Sequence, residues 1–545
     1  MEASTTINPE RSEEYRRAGY WRDETLDQHF SRAAARRSNA VAVVDDRSRL
    51  TFAELSERVD RLAGSLRELG VGPGDVVCVQ LPNWSEFVVA HLALERLQAV
   101  TNPMLTQYRS QDLQTMVGKL EPVAAIVPST YRDHDHLGMW QEVRRTQPGL
   151  RHLVVARGGP SATRSDVHDL DALVAHGQRV PFEDRPRDGD AVTIAIFTSG
   201  TVASKGVMHS HNTTLYGVQA YVQELGLDAS SVVWMPSPIS HGTGLQWGVR
   251  TALYLGAKFV LQERWDPGQA LDLIAREGCT VTMSATPFVH DLRHVARGRQ
   301  ADLHSMRYFV CAGAPIPREV MLGVREELGL TILRAYGMSE HFVSTMCRPD
   351  DPEDKRILTD GRPMPGTEVA VYDPERSRTL PAGNAGELAV RGPGVALGYM
   401  RDPERTRETW TEDGWQFTDD LAEIDTDGFV RIVGRKKDLV IRGGLNIAPA
   451  EVEALLLEHP GVLEVAVVGM PDARLGERIC AVVVPAGDPP GLEELKSFLL
   501  ASGVSKLKLP EILEVRDALP KTPSGKVRKD VLRASVDPGR AVSAN

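Results

Sequence analysis

Cysteine is scarce in this 545-residue chain. Five are present, and Cys78, Cys279, Cys311, Cys347 and Cys480 never fall at CxxC or CxxxC spacing. That pattern points away from a disulfide framework and a thiolate zinc site, and it suits a reducing cytoplasm. Basic residues are outnumbered: 63 Lys and Arg against 74 Asp and Glu leave a net charge of −11. The balance argues against a general nucleic-acid surface and leaves room for a local basic patch around a phosphorylated ligand. Long apolar runs are missing too. The most apolar helical stretch, residues 87–100, is broken by His91, Glu95 and Arg96 and falls short of the ~20 apolar residues of a membrane span. The opening MEASTTINPERSEEYRR is charged with no apolar core, so no signal peptide is expected. There is no internal repeat and no GxxxxGK[ST] spacing of a P-loop NTPase.

What remains is an ordinary soluble composition, 42% hydrophobic and 25% charged, in a chain too long for a single core. At least two domains are expected. Helix and strand patterns alternate from about Leu26, which predicts layered α/β architecture. Thr51-Phe-Ala-Glu54 reads as a capping box opening a helix with Leu55, Val59, Leu62, Leu66 and Leu69 on one face and Gly70 at its end. Strands are predicted over 75–81, near Val123 and near Leu153, and helices from Ser85 and from about His136. Residues 158–190, rich in Pro, Gly, Ser and Asp, read as a surface connection.

The apolar run AVTIAIF, residues 191–197, breaks abruptly into FTSGTVASKG, residues 197–206. Gly200 and Gly206 allow sharp turns, so that backbone N–H groups converge on one anion. Thr198, Ser199 and Thr201 add hydroxyl donors, and Lys205 adds charge. This is the composition of a polyphosphate cradle; taken alone, it is equally that of a surface loop after a strand. Downstream, short β-rich runs at 232–244, 255–261, 279–287, 306–315 and 331–340 each break into Gly, Pro, Ser or His. In an open parallel sheet such breaks line one crevice at the carboxyl ends of the strands. Residues 361–434, richer in Gly, Asp and β-formers, predict a smaller barrel-like subdomain. GRKKDLVIRGG, residues 434–444, is followed by a fresh helix–strand–strand–helix–strand pattern, enough for an independent domain.

Taken together these segments resemble the adenylate-forming superfamily of acyl-CoA synthetases, carrier-protein adenylation domains and luciferases, from about residue 25 to 532 and in the family's order. The resemblance implies an α/β fold: a large N-terminal domain of layered α/β sheets (residues 1–433) with the barrel-like subdomain, a hinge at 434–437, a small mobile α+β domain at 438–534, and a loose tail at 535–545. It implies two half-reactions, in which a carboxylate attacks the α-phosphate of ATP and a thiol, commonly that of CoA, then displaces AMP. Such chemistry needs donors, a cation and a metal more than a protein nucleophile.

Carried over residue by residue, the cradle with Lys205 resembles the loop for the β- and γ-phosphates. Gly313, Ala314 and Pro315 match the segment along adenine, and Tyr336 the ring stacked on it. In YGMSE, Gly337 is among the nucleotide-binding residues, Ser339 faces the α-phosphate and Glu340 holds Mg²⁺. Asp420 matches the acid that takes the ribose hydroxyls and Arg435 its supporting arginine. Lys526 is similar to the lysine that bridges carboxylate and phosphate. Lys437 stands at the hinge, Arg442 and Gly444 at positions presented after the domain swing, and His241 beside the acyl carboxylate and thiol entrance. The residues by themselves also fit a solvated Lys526 and a hydrogen-bonded core His241.

The chain departs from the family pattern twice. The cradle lacks an inner glycine and the proline of TSGTTGxPKG and is one residue shorter, and Asp419 stands where glycine is usual. His241-Gly242 stands where α-amino-acid enzymes carry an aspartate, so acids without an α-amine are expected. The whole pattern, especially GYWRDETLDQHF near the start and HGTG in the middle, resembles ligases for cyclohexanecarboxylate and aryl acids more than those for long-chain fatty acids. The expected function is an ATP- and Mg²⁺-dependent acid:CoA ligase for a cyclic, aromatic or medium-length carboxylate, monomeric or homodimeric. Rival readings are transfer to a phosphopantetheine carrier protein, activation of another acid such as nitrite for aryl-amine diazotisation, and a non-catalytic nucleotide-binding protein with a degenerate loop.

Overall fold

The computed structural model describes residues 8–158, 166–197, 205–299, 302–313, 316, 318–442, 445–472, 474–522, 527–536 and 542–543. Among them, two large sheets dominate. One has nine strands in the order Arg362–Pro363, Phe342–Met346, Thr331–Met338, Tyr308–Ala312, Val281–Ser284, Val232–Met235, Lys258–Leu261, Val41–Val44 and Arg49–Thr51. The other has eight, in the order Gly398–Tyr399, Gly206–Ser210, Val192–Phe197, Val100–Pro103, Val76–Val79, Ala124–Pro128, His152–Ala156 and Val167–Asp169. The inner strands of both are parallel; the nine-stranded sheet is antiparallel at both ends, the eight-stranded one only at its Gly398–Tyr399 end, since Val167–Asp169 pairs parallel. Runs such as VVCV and AAIVP are buried along their whole length, as expected where helices cover both faces.

Helices start where the sequence places them. Thr51 caps Phe52–Glu68 with the reciprocal Glu54 bonds of a capping box, and Leu55, Val59, Leu62 and Leu66 are buried. Every residue of Ser85–Arg96 is buried, its charges included. Those charges, which interrupt the most apolar run of the sequence, are all matched. Glu95 meets Arg250 at 2.7 Å, and Arg96 meets Asp27 at 2.7 Å and Asp60 at 2.5 Å. Breaking one such buried pair costs roughly 3–5 kcal/mol, because a charge is left uncompensated. No helix among the described residues is long and apolar enough to cross a membrane.

The segment expected to be barrel-like forms an open four-stranded antiparallel sheet of Glu368–Tyr372, Gly386–Arg391, Gln416–Ile424 and Val430–Arg435. It does not close among the described residues, because two further strands of the segment are drawn off, Arg362–Pro363 into the nine-stranded sheet and Gly398–Tyr399 into the eight-stranded one. Residues 434–435 end the strand Val430–Arg435, and Lys436–Asp438 form one 3₁₀ turn. Beyond it lies a separate sheet built on Val462–Asp472 and Gly476–Pro485, with helices Pro449–Leu456 and Leu492–Ala501 over its own apolar cluster of Val440, Val452, Leu456, Val467 and Leu495. The tail expected to be loose from residue 535 includes described residues that are held in place. Val536 is buried, and Val542–Ser543 pair antiparallel with Ile512–Val515, since that edge strand leaves hydrogen-bonding groups open.

Candidate active site

The nucleotide end is built on a bulge. In the strand Gln416–Ile424, Leu421 pairs with Glu387 and Phe417 with Ala389, so residues 418–420 bow out over a single partner position. Asp419 sits at the crest with φ +61°, in the left-handed region. Asp420 lies opposite Arg435 in the next strand and is buried. Arg435 Nε donates to Asp420 Oδ1 at 2.6 Å and the Tyr336 hydroxyl to Oδ2 at 2.7 Å. Burial, and then the charge of Asp420, push the Tyr336 phenol well above its ordinary range, so it stays a donor. A carboxylate has about four lone-pair sites. With two of these filled, Asp420 is oriented and still able to accept from a ribose.

Four residues on from Tyr336 is Glu340. The strand Thr331–Met338 folds back tightly into Phe342–Met346, and Gly337 permits it: a Cβ there would lie 1.6 Å from the Phe342 carbonyl oxygen. The Ser339 carbonyl accepts from His209 Nε2 at 2.7 Å, and Phe342, at φ +52°, stacks on the His209 ring at 4.1 Å. Burial lowers His209 to about 4, so it is neutral at pH 7 with its proton on Nε2. Glu340 is 2% exposed. Its Oε1 accepts from the Tyr399 hydroxyl at 2.8 Å, and that hydroxyl accepts from Lys205 Nζ at 3.0 Å. Burial lowers the Lys205 ammonium against the pull of Glu340. Burial, and then Glu340, hold the Tyr399 phenol far above its usual range.

The predicted cradle residues Thr198, Ser199, Gly200 and Thr201 lie outside the described residues, as do Ala314, Pro315, Gly444 and Lys526. The cradle's base is described: Phe197 and Gly206 pair across antiparallel strands. Gly313 takes φ +89° directly after Tyr308–Ala312. At the domain junction Lys437 Nζ meets Asp419 at 3.0 Å, with Arg376 3.7 Å from the same carboxylate. Burial opposes the charge of Asp419, but Lys437, and with it Lys205 and Arg376, outweigh that and lower its pKa. Arg442 is engaged within the small domain, donating through Nε and Nη2 to Glu511 at 3.0 and 2.9 Å. His241 caps the turn Gly242–Gly244, its Nδ1 accepting from Thr243 N at 3.3 Å, and the chain continues as a π-helix, Leu245–Arg250. Such π turns occur often at functional sites.

Residues 30–400 match the family model for the AMP-binding enzyme, and residues 451–526 the model for the AMP-binding enzyme C-terminal domain. The chain belongs to the AMP-binding enzyme family. Its relatives include the medium-chain fatty-acid–CoA ligase of Escherichia coli K12, 35% identical over 98% of this chain and 94% of the relative. Another is the salicylyl-CoA synthase / salicylate adenylyltransferase of a Streptomyces species, 36% identical over 98% of each. A crystal structure of the anthranilate CoA ligase AuaEII in complex with anthranoyl-AMP superposes with a TM-score of 0.86 at 25% identity, covering 94% of this chain and 97% of the other. The adenylate-forming fold and the AMP-forming enzyme class expected from the motifs are therefore this chain's own.

In this AMP-binding enzyme the predicted residues fall into linked groups. Tyr336, Asp420 and Arg435 form one, Lys205 and Glu340 a second through Tyr399, and Lys437 joins Asp419. Arg442 and His241 make their described hydrogen bonds outside these groups. Sequence reasoning missed Tyr399, His209 and Arg376, and it named Lys437 without its pairing to Asp419. Tyr399 and Glu340 stand 59 positions apart and His209 and Ser339 130 apart, so no local spacing announces either contact.

Proposed function

We propose that this enzyme joins a cyclic, aromatic or medium-length carboxylic acid to coenzyme A at the cost of ATP. The acid's oxygen attacks the α-phosphorus as the bond to pyrophosphate breaks, giving acyl-AMP. The thiol of coenzyme A then attacks the acyl carbonyl and AMP leaves. The observation that carries this reading is one short segment, Tyr336 to Glu340, which contacts a ribose-type acid at one end and the cradle lysine through Tyr399 at the other. Ser339 lies between them, where an α-phosphate has to sit if ribose and phosphates take those two ends. The names of the fatty-acid, salicylate and anthranilate relatives support the acid class.

Mg²⁺ fits the residues present. It is usually bound by one or two carboxylates, with phosphate and water supplying the rest. Glu340 is a buried carboxylate with Oε1 committed to Tyr399 and no hydrogen bond to Oε2 among the described residues. The cation would neutralise charge spreading over the phosphates, while Lys205 binds a terminal phosphate oxygen and Asp420 orients the ribose. Lys526 approaches from the small domain in the first half-reaction, and Arg442 serves the second.

A pyrophosphate-release screen across an acid panel, with and without CoA, tests the reading. Release with an aryl or medium-chain acid and consumption of CoA is the expected result, and no release with any acid overturns it. The adenylyltransferase half of the salicylate relative's name fits one further reading, in which the acyl-AMP is passed to an acceptor other than CoA, such as a phosphopantetheine carrier protein. Acyl-AMP formed with no acyl-CoA identifies that case.

A further inference from the structure

The chain from Ala396 to Met400 touches both halves of the phosphate site through its backbone. Ala396 N donates to the Glu340 carbonyl at 2.8 Å, Leu397 N to Met208 O at 2.9 Å and Met400 N to Gly206 O at 2.7 Å. One segment therefore fixes the return strand of the cradle and the backbone of the metal acid together. Tyr399 projects from its middle. Its ring is buried edge-on against Trp410, 4.9 Å between centroids, and its N–H is held by Thr406 Oγ1 at 3.0 Å. The ring's position is thus set by packing, independently of its hydroxyl.

We infer that Tyr399 is a positioning residue whose hydroxyl stands between Lys205 and Glu340, keeping ammonium and carboxylate from pairing directly so that one meets phosphate and the other the cation. A phenol suits this place because it accepts from the ammonium and donates to the carboxylate at once. It is bonded to both, at 3.0 and 2.8 Å. Opposite charges in a site with little water attract strongly. With the hydroxyl removed, Lys205 closes on Glu340, and each loses the partner that nucleotide binding requires. The inference rests on the proposed function, which assigns phosphate to Lys205 and Mg²⁺ to Glu340.

Tyr399→Phe keeps the ring against Trp410 and removes the hydroxyl that makes the bridge. Titration calorimetry with ATP over a Mg²⁺ series, and with AMP without metal, reads the consequence. The expected result is an ATP Kd and a half-saturating Mg²⁺ concentration each raised about tenfold, as for loss of one charge-assisted network. AMP affinity and thermal midpoint stay as in the wild type. Lys205→Met in the Tyr399→Phe background should then bring the Mg²⁺ requirement back toward wild type, since nothing is left to capture Glu340. A merely structural role predicts no such rescue. Equal weakening of ATP and AMP, no weakening of either, absence of rescue, or a Tyr399→Phe protein that does not fold would each overturn the inference. Failure of the wild type to bind either nucleotide overturns the proposed function instead, and is read before any variant.

Discussion

Asp420 and Glu340 are buried carboxylates of one site, and the protein treats them differently. Asp420 has both oxygens engaged by side chains, Arg435 from the adjoining strand and Tyr336 from a strand of the nine-stranded sheet. Among the described residues Glu340 has one engaged, through a phenol shared with a lysine. The first arrangement is rigid and suits an unchanging guest such as a ribose. The second holds a carboxylate and an ammonium in readiness, and it suits phosphates that are cleaved and leave. Preorganisation of this kind places the cost of ordering in the fold rather than in the reaction step.

The largest effect should come from the residue that serves only the changing end. Lys526→Ala is expected to lower acid-dependent pyrophosphate release by about 100-fold or more, while thioester formation from supplied acyl-AMP and CoA persists. Equal loss in both half-reactions would remove Lys526 from its assigned step. The comparison of the two carboxylates is sharpened by Asp420→Asn beside Glu340→Gln. The first should weaken ATP and AMP alike by about tenfold, near 1.4 kcal/mol; the second should weaken only ATP with Mg²⁺. Calorimetry that finds the same pattern for both substitutions breaks the distinction.

A smaller effect separates the site from its support. His209 is lowered to about 4, and His91 and His341 to about 3, each chiefly by burial. Below the ordinary pKa of about 6.5, the unfolded chain takes up protons that the folded one refuses, so stability falls as pH drops from about 6.5 toward 4. The slope is at most roughly 1.4 kcal/mol per pH unit for each such histidine. Thermal midpoints measured across that window should show it, and His209→Gln should flatten it in part. The smallest change is expected from Asp419→Gly. Glycine relieves the left-handed strain at φ +61°, but the pairs to Lys437 and Arg376 go with the carboxylate. These opposing terms leave stability within about 1 kcal/mol of wild type by urea denaturation.

Much of the fold was legible in the chain. Thr51 and Glu54 announced a helix start by spacing alone, and the apolar runs at 76–79, 124–128 and 192–197 are strands. Asp420, Arg435 and Tyr336 were named from motifs and meet in space. The open form of the four-stranded sheet was not legible, because Gly398–Tyr399 looks like any β-prone dipeptide and its pairing with Val207 and Met208 depends on chain nearly 200 residues away. Nor was the burial of the helix Ser85–Arg96, whose charges only make sense beside Asp27, Asp60 and Arg250.

By itself the sequence determined in what order the elements come and nominated the residues to carry the chemistry, since caps, periodicities and motifs act over a few positions. Only the tertiary structure decided how they are coupled. Hydrogen bonds such as Lys205 to Tyr399, Tyr399 to Glu340 and His209 to Ser339 exist because separate strands are packed side by side. A contact between distant residues leaves no periodic trace along the chain.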